Sequence, residues 1–277
     1  MTGKIAFQGE LGAYGHQACA DARPEYDPLP CTTFHDTMAA IREGRADLGM
    51  VAVENSIYGR VADVHSLLPE SGLHIVDEAF VRVHVNLLGV RGARLDQVRE
   101  AHGHVVILPQ CGQFLREHGI QGVISSDNAR AAREIAERND PTHAALASEM
   151  AAQIYGLDIL ARHIEDHPNN TTRFLIMARE ADFSRRGDHG MMTAFLFRVR
   201  NIPAALYKAM GGFATNGVNM VKLESYMVNG SFTATQFFAE IEGHPEDDNV
   251  KRALDELRYF TSYLNVLGTY PADPARY

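Results

Sequence analysis

The sequence has few cysteines and no long apolar run. Its three cysteines, Cys19, Cys31 and Cys111, are widely spaced and odd in number, which argues against a disulfide framework and for a reducing compartment. No stretch approaches the roughly 18 apolar residues of a membrane span, and the first apolar run is too short for a signal peptide. We therefore expect a cytoplasmic protein that has no membrane partner.

Positive charge is also scarce. Lys and Arg number 26 against 35 Asp and Glu, which gives a formal net charge of −9. This balance argues against nucleic acid or an anionic membrane as a partner. An anionic substrate would need a locally basic pocket.

Recognisable metal motifs are missing as well, although the chain has 13 histidines. Possible ligand sets are His16 with Cys19, or His102 and His104 with Cys111. Neither C-x-x-C nor H-E-x-x-H occurs, and these are the spacings typical of zinc sites. We expect no metal.

Short apolar runs alternate with helical patterns over the first two thirds of the 277 residues. Lys4 to Phe7 and Leu48 to Val53 are typical strand patterns, and Val105 to Leu108 is a further apolar run. Thr33 to Glu43 has helical spacing, and Ala144 to Tyr155 is predicted to be an alanine-rich helix. This alternation favours a parallel α/β architecture.

A polar stretch without periodicity, Arg179 to Gly190, is the predicted domain boundary. Beyond it the pattern predicts the order βαββαβ, with a hairpin turn at Asn229-Gly230. That order in about 80 residues is typical of a ferredoxin-like α+β domain. The domain contains no convincing pair of nucleophile and base, so we expect ligand sensing or dimerisation there.

Polar residues gather in three stretches of the first part. The segment D-H-P-N-N-T-T-R-F ends with Arg173 beside apolar Phe174, and an arginine in such a place usually has an anionic partner such as a carboxylate. Glu54-Asn55-Ser56 follows a buried strand, where ligands of α/β sheets bind. Both stretches have a second interpretation, since Asn, Ser and Thr also stabilise turns and helix starts. The third stretch begins with the predicted strand Lys4 to Phe7, continues with a glycine-rich turn that contains Gly9, Gly12 and Gly15, and ends in a helical run from His16 to Arg23. Such an arrangement can bind an anion. The spacing of its glycines is not the dinucleotide fingerprint G-x-G-x-x-G.

In combination these motifs resemble the prephenate dehydratase family, which converts prephenate to phenylpyruvate in phenylalanine biosynthesis. The resemblance covers nearly the whole chain, and its C-terminal part is similar to an ACT domain, the phenylalanine-sensing module usually attached to this enzyme. The motifs that carry it are G-x-x-G-A-Y ending at Tyr14, Glu54-Asn55-Ser56 with Gly59, Gln110-Cys111 with Phe114-Leu115, Tyr155-Gly156-Leu157, and Asn170 leading into Thr172-Arg173-Phe174.

The resemblance implies a catalytic domain at residues 1–180 with two α/β lobes, like a periplasmic binding protein, and the site in the cleft between them. Lobe one would comprise residues 1–77 and 161–180, and lobe two residues 78–160. An ACT domain would follow at residues 191–271, joining subunits into a homodimer or homotetramer. No cofactor is implied, because the reaction requires no metal, nucleotide or covalent intermediate.

The resemblance also assigns roles. The hydroxyl of Thr172 would act as general acid toward the departing hydroxide. The residues expected to act in catalysis are Thr172, Asn55, Gln110 and Glu54. Those expected to bind substrate are Arg173, Ser56, Gly12, Ala13, Tyr14, Asn170 and Phe174. Those expected to bind phenylalanine are Ala204, Ala205, Leu206, Tyr207, Glu224 and Ser225.

The chain departs from the family pattern at several positions. Gly103 and Val106 stand where the family has a serine and a glutamine, which leaves room for arogenate, the aminated analogue, as substrate. The family's G-A-L and E-S-R-P motifs read Ala204-Ala205-Leu206 and Glu224-Ser225-Tyr226-Met227 here, which bears on phenylalanine inhibition. A non-catalytic amino-acid sensor is the alternative from another class.

Overall fold

A computed structural model describes residues 2–187, 190–227 and 234–276. The chain divides into two compact units. Unit 1 comprises Met1–Val64 and Ala79–Phe174, and unit 2 comprises His65–Glu78 and Leu175–Tyr277. This division differs from the predicted domain boundary, because residues 65–78 and 175–180 fall with the C-terminal part. Within the described residues no helix has both the length and the apolar character that a membrane span requires.

The first sheet contains the N-terminal strand, and we call this sheet and its helices lobe one. Its strands have the order β2-β1-β3-β11-β5, and β4 pairs with β3. β1 is parallel to both β2 and β3. The elements of lobe one are β1 (Lys4–Gln8), α1 (Tyr14–Ala22), β2 (Asp27–Cys31), α2 (Phe34–Arg42), β3 (Leu48–Asn55), β4 (Gly59–Arg60), α3 (Ala62–Leu67), β5 (His74–Arg82) and β11 (Thr171–Ala178).

The second sheet and its helices form lobe two. Its strand order is β10-β6-β9-β7-β8. β7 is parallel to β8 and β9, whereas β6 is antiparallel to β9 and β10. The sheet is therefore mixed, whereas the sequence predicted a parallel sheet. The elements of lobe two are β6 (Asn86–Gly89), β7 (Glu100–His104), α4 (Gly112–Glu117), β8 (Gln121–Ser125), α5 (Asn128–Arg138), β9 (His143–Ala147), α6 (Glu149–Tyr155) and β10 (Asp158–Ala161).

One local prediction for lobe two is wrong. Ala144 to Ala147 form the central strand β9, and the helix begins only after Ser148, whose side chain accepts a hydrogen bond from the amide of Ala151. The residues of this strand segment are fully buried, and burial in a sheet outweighs alanine's modest helix preference. The apolar run Val105 to Leu108 follows the end of β7 at His104, and a 3-10 helix begins at Leu108. Val105 is 51% exposed.

The C-terminal part of unit 2 has the predicted order βαββαβ. Its antiparallel sheet has the order β13-β14-β12-β15, and both helices pack on its apolar core, which includes Phe195, Phe213 and Leu257. Its elements are β12 (Met191–Val199), α7 (Ala205–Thr215), β13 (Met220–Met227), β14 (Ala234–Glu242), α8 (Asp248–Phe260) and β15 (Thr261–Pro271). The hairpin turn predicted at Asn229-Gly230 lies outside the described residues.

Candidate active site

The two polar stretches predicted at Glu54 and Asn170 meet in unit 1 because β3 and β11 are neighbours in the first sheet. The amide of Ser56 donates to the carbonyl of Thr171 over 2.9 Å. The amide of Thr171 donates in turn to the Ser56 hydroxyl over 2.9 Å, and that hydroxyl donates to the carbonyl of Asn169 over 2.8 Å. Ser56 therefore joins the end of one strand to the start of the other.

The sequence leaves open whether Asn55 stabilises a turn or belongs to a site, and in the structure its side chain does both. Its Oδ1 accepts from the amides of Ile57 and Tyr58 at 3.0 and 3.1 Å, which is a side-chain turn of the kind Asn favours. Its Nδ2 donates to Oδ1 of Asn170 at 2.7 Å and to Oγ1 of Thr172 at 3.0 Å. Because the two backbone amides hold Oδ1, the orientation of the whole side chain is fixed.

Asn170 continues this network into lobe two. It is 1% exposed, and its Nδ2 donates to Oε1 of Gln110. Gln110 is also buried, and its Nε2 donates to the carbonyl of Val106 at 3.0 Å. In each of these three side-chain amides the nitrogen donates and the oxygen accepts. The hydrogen-bonded network connects the carbonyl of Val106 with the hydroxyl of Thr172.

Arg173 has the anionic partner that its sequence context predicts, and the partner is Glu54. The guanidinium donates to Oε1 of Glu54 over 2.8 Å, with the Arg173 side chain 4% exposed and the Glu54 side chain 30% exposed. The structure therefore pairs a predicted substrate-binding residue with a predicted catalytic one. Phe174, the third residue of the motif, is buried in the core.

The glycine-rich turn forms contacts between the two lobes. The carbonyl of Gly12 accepts from the Ser148 hydroxyl over 2.6 Å, and the hydroxyl of Tyr14 donates to the carbonyl of His84 over 2.9 Å. Gly12 has φ 92°, and a Cβ there would lie 2.8 Å from the Cα of Ala151. Ala13 is the residue before α1 and contributes no side-chain cap. The turn thus needs glycine for close packing against α6.

Sequence reasoning missed Glu10, which lies within the same turn. Its carboxylate pairs with Arg130 at 2.8 Å and Arg133 at 2.9 Å, both on α5 of lobe two. The hydrogen bond from Arg133 is the main reason that the pKa of Glu10 lies below its usual value. Nothing in the spacing of Glu10 relative to α5 indicates this contact, which depends on how the two lobes pack.

A cavity of about 300 Å³ adjoins this ion pair. It lies between the ends of β1 and β2 and the start of α5. Burial raises the pKa of the Asp127 carboxyl at its wall, while Arg130 contributes positive charge. The lining residues are Gln8, Gly9, Glu10, Pro30, Cys31, Thr32, Ser126, Asp127 and Arg130.

Cys19, Cys111 and His16, which the sequence offers as metal ligands, are held in other ways. Burial raises the pKa of the Cys19 thiol to about 12 and that of the Cys111 thiol further still, which disfavours the thiolate that binds metals. His16 accepts from the amide of Gly12 through Nδ1 at 3.0 Å. In the described part of the chain a different group, Glu100, His102 and His143, brings three ligand atoms together.

Fold and site together define a two-unit α/β protein with a partly buried amide and hydroxyl network at the ends of neighbouring strands. The family model for prephenate dehydratase matches residues 5–182, and the chain belongs to that family. A bifunctional N-acyl-homoserine lactone acylase/prephenate dehydratase from Komagataeibacter europaeus is 50% identical over 98% of this chain and 97% of its own. Arogenate dehydratase/prephenate dehydratase 1 from Arabidopsis thaliana is 35% identical over 99% of this chain and 73% of its own. The crystal structure of a prephenate dehydratase in complex with L-Phe from Arthrobacter aurescens has a TM-score of 0.88 and 28% identity, covering 97% of this chain and 90% of that one.

Proposed function

We propose that this chain is a prephenate dehydratase, a lyase that converts prephenate to phenylpyruvate, carbon dioxide and water. The observation that carries the proposal is the hydrogen bond from Asn55 to Thr172. A threonine hydroxyl has one proton to donate and two lone pairs to accept with. Because Asn55 occupies an acceptor position, the hydroxyl proton of Thr172 can be directed to another oxygen.

The reaction needs such a donor at one point. As the bond between the ring and its carboxylate breaks, its electron pair enters the ring, carbon dioxide leaves, and the hydroxyl on the opposite ring carbon departs as hydroxide. Thr172 hydrogen-bonds to that oxygen as negative charge develops, and solvent supplies the proton that completes the water molecule. A hydrogen-bond donor placed at a developing negative charge contributes about 10² to 10³ in rate, and aromatisation of the ring supplies the driving force.

The other residues of the network act by positioning. Asn55, Asn170 and Gln110 form one hydrogen-bonded series, so the donor geometry is fixed before substrate arrives and need not be organised during the reaction. We assign substrate contacts to Ser56, Arg173 and the glycine-rich turn, with Glu54 balancing the charge of Arg173. Loss of a substrate contact should raise KM, whereas loss of a positioning residue should lower kcat.

The test is phenylpyruvate formation from prephenate, followed by ultraviolet absorbance in alkali. Thr172→Ala should lower kcat by at least about 10²-fold, and Thr172→Ser should restore much of it because the hydroxyl returns. Thr171→Ala is the matched control, since neighbouring side chains on a strand point to opposite faces. Equal activity in Thr172→Ala and wild type would refute the role of the hydroxyl. No turnover by the wild type would favour arogenate or the sensor alternative.

Arogenate is a second candidate substrate. The Arabidopsis relative is named for both arogenate and prephenate, and Gly103 here lacks the serine that the family pattern has at that position. Steady-state kcat/KM for both substrates decides the preference. A higher value for arogenate would make this chain primarily an arogenate dehydratase.

An acylase activity is also testable, because the 50% identical relative is named for N-acyl-homoserine lactone acylase as well. Incubation with an acyl-homoserine lactone should then release homoserine lactone and a fatty acid, detected by mass spectrometry. Thr172→Ala separates the two activities. If both fall together they share the site, and if only the dehydratase falls they do not.

For residues 191–271 we propose an ACT regulatory domain that binds phenylalanine and joins subunits. The βαββαβ order supports this proposal, as does the similarity to the Arthrobacter aurescens prephenate dehydratase in its complex with L-Phe. The residues proposed for phenylalanine are Ala204, Ala205, Leu206, Tyr207, Glu224 and Ser225. The proposed location of the whole protein is the cytoplasm.

A further inference from the structure

A cluster of one carboxylate and two imidazoles lies in lobe two, outside the site described above. Glu100 and His102 are two residues apart on β7, so their side chains share one face of the sheet. His143 begins the neighbouring strand β9, and it stands directly opposite Glu100 in the parallel register. The sheet therefore brings Glu100, His102 and His143, here called the Glu-His-His cluster, to one point.

The distances within the cluster have the size of a metal coordination sphere. Nε2 of His102 lies 3.1 Å from Nδ1 of His143, and Oε2 of Glu100 lies 3.5 and 3.3 Å from these two nitrogens. Zinc bonds of about 2.0 to 2.1 Å in a tetrahedron give ligand separations of about 3.3 to 3.4 Å. Three donor atoms thus form nearly one face of such a tetrahedron.

We propose that the Glu-His-His cluster binds a borderline-soft divalent cation, with zinc as the ion to test. Imidazole and carboxylate donors suit zinc and its first-row neighbours, and three protein ligands leave one position for water. The side chains are partly buried, 16% exposed for His102 and 36% for Glu100. An ion can therefore enter, and once bound it joins β7 to β9. The sequence predicted no metal, because the ligands come from two strands and form no local motif.

Two charged neighbours set how tightly the ion would bind. Nη1 of Arg138, at the end of α5, lies 2.8 Å from Nδ1 of His143, so the cation must displace this guanidinium. Oδ2 of Asp140 lies 3.8 Å from Nε2 of His143, and its negative charge favours a bound cation.

The test is titration of the EDTA-treated, dialysed full chain with Zn²⁺ by isothermal calorimetry. We expect one ion per chain. His102→Ala and His143→Ala should each weaken binding at least about tenfold, since even outer-shell changes cost about 10- to 100-fold. Co²⁺ bound in place of Zn²⁺ should show the visible absorption of a tetrahedral site, and both variants should lose it.

Two further variants separate the cluster from other histidines. Arg138→Gln should tighten binding about two- to fivefold, the range of an exposed charge interaction, because the competing guanidinium is removed. His35→Ala, at an exposed site elsewhere, should leave binding unchanged. Absence of stoichiometric binding, or equal affinity in wild type and a folded His102→Ala variant, would overturn the proposal. Melting curves without metal establish that each variant is folded.

Discussion

At Asn55 a single side chain both stabilises a turn and donates to the proposed catalytic hydroxyl of Thr172. Its oxygen accepts from the amides of Ile57 and Tyr58, and its nitrogen donates to Asn170 and Thr172. Only a primary amide offers an acceptor and a two-proton donor on the same planar group. An asparagine suits this position because the turn requires an acceptor and the Thr172 hydroxyl oxygen receives a donor.

Asn55→Asp tests the need for an amide donor at this position without changing the shape of the side chain. The turn should survive, because one carboxylate oxygen still accepts from the amides of Ile57 and Tyr58. The other oxygen replaces the donor facing Thr172, so the hydroxyl should turn to donate to it, and kcat should fall at least about 10²-fold. Asn169→Asp makes the same chemical change at an exposed neighbour. Similar losses in both variants would show that added charge, and not the donor, is responsible.

Ala204 has a strained backbone. Its φ is 62°, in the left-handed region that costs a residue with a Cβ about 1 to 2 kcal/mol. The family motif has glycine here, the residue that adopts a positive φ without strain. The strain lies at the start of α7, beside the proposed phenylalanine residues.

We expect Ala204→Gly to stabilise the protein by about 0.5 to 1 kcal/mol, the strain relief less the greater freedom of glycine in the unfolded chain. Chemical denaturation measures this. Ala209→Gly, inside α7 at an ordinary helical position, should instead destabilise by at least about 1 kcal/mol. A loss of stability in Ala204→Gly would show that the left-handed conformation is not strained.

Among the elements, the turn before α1 depends on close packing against α6. Gly12 combines φ 92° with a neighbouring helix backbone, whereas Gly119 has φ 65° and open space around it. Gly119→Ala should cost about 1 to 2 kcal/mol from strain alone. Gly12→Ala should cost more, because the new methyl group also displaces α6. Equal losses in denaturant unfolding would contradict the close approach.

The contact between this turn and α5 should depend on pH. The pKa of Glu10 is lowered by Arg133 and Arg130, so the ion pairs stabilise the fold above the ordinary carboxyl pKa of 4.5. That contribution is lost as the pH falls through the lower, folded value. Between pH 7 and pH 3 the free energy of unfolding, measured in urea, should therefore fall less in Glu10→Gln than in wild type. The difference should stay below about 1 kcal/mol because the pair is partly exposed, and Glu25→Gln is the control.

For the whole molecule, the proposed regulation couples phenylalanine binding to turnover. Phenylalanine should raise the melting temperature and lower dehydratase activity, with a coupling of about 1 to 3 kcal/mol. Leu206→Ala should weaken both effects. Leu223→Ala, an exposed leucine on β13, should leave them intact. A temperature shift without inhibition would mean binding without coupling, and light scattering with and without phenylalanine would report the subunit number.

Much of this organisation is predictable from residue patterns. Strands such as Lys4 to Phe7, the helix after Thr33 and the βαββαβ order all follow from local periodicity. The pairing of Arg173 with an anion follows from its apolar neighbours, although the identity of the partner does not. The strand at Ala144 to Ala147 was missed because alanine's local preference is weak and the surrounding sheet decides. The likeness to periplasmic binding proteins stays a prediction.

The sequence by itself determined the family, the order of the elements and the residue types at the site, because motifs and periodicity are local properties of the chain. Tertiary structure alone decided which of those residues meet. Asn55 reaches Asn170 and Thr172 only because β3 and β11 are neighbours, Glu10 finds Arg130 and Arg133 only because the lobes pack together, and Glu100 faces His143 only through the register of β7 and β9. Each of these pairs is far apart along the chain, and it is the pairing of strands and the burial of apolar surface that close the distance.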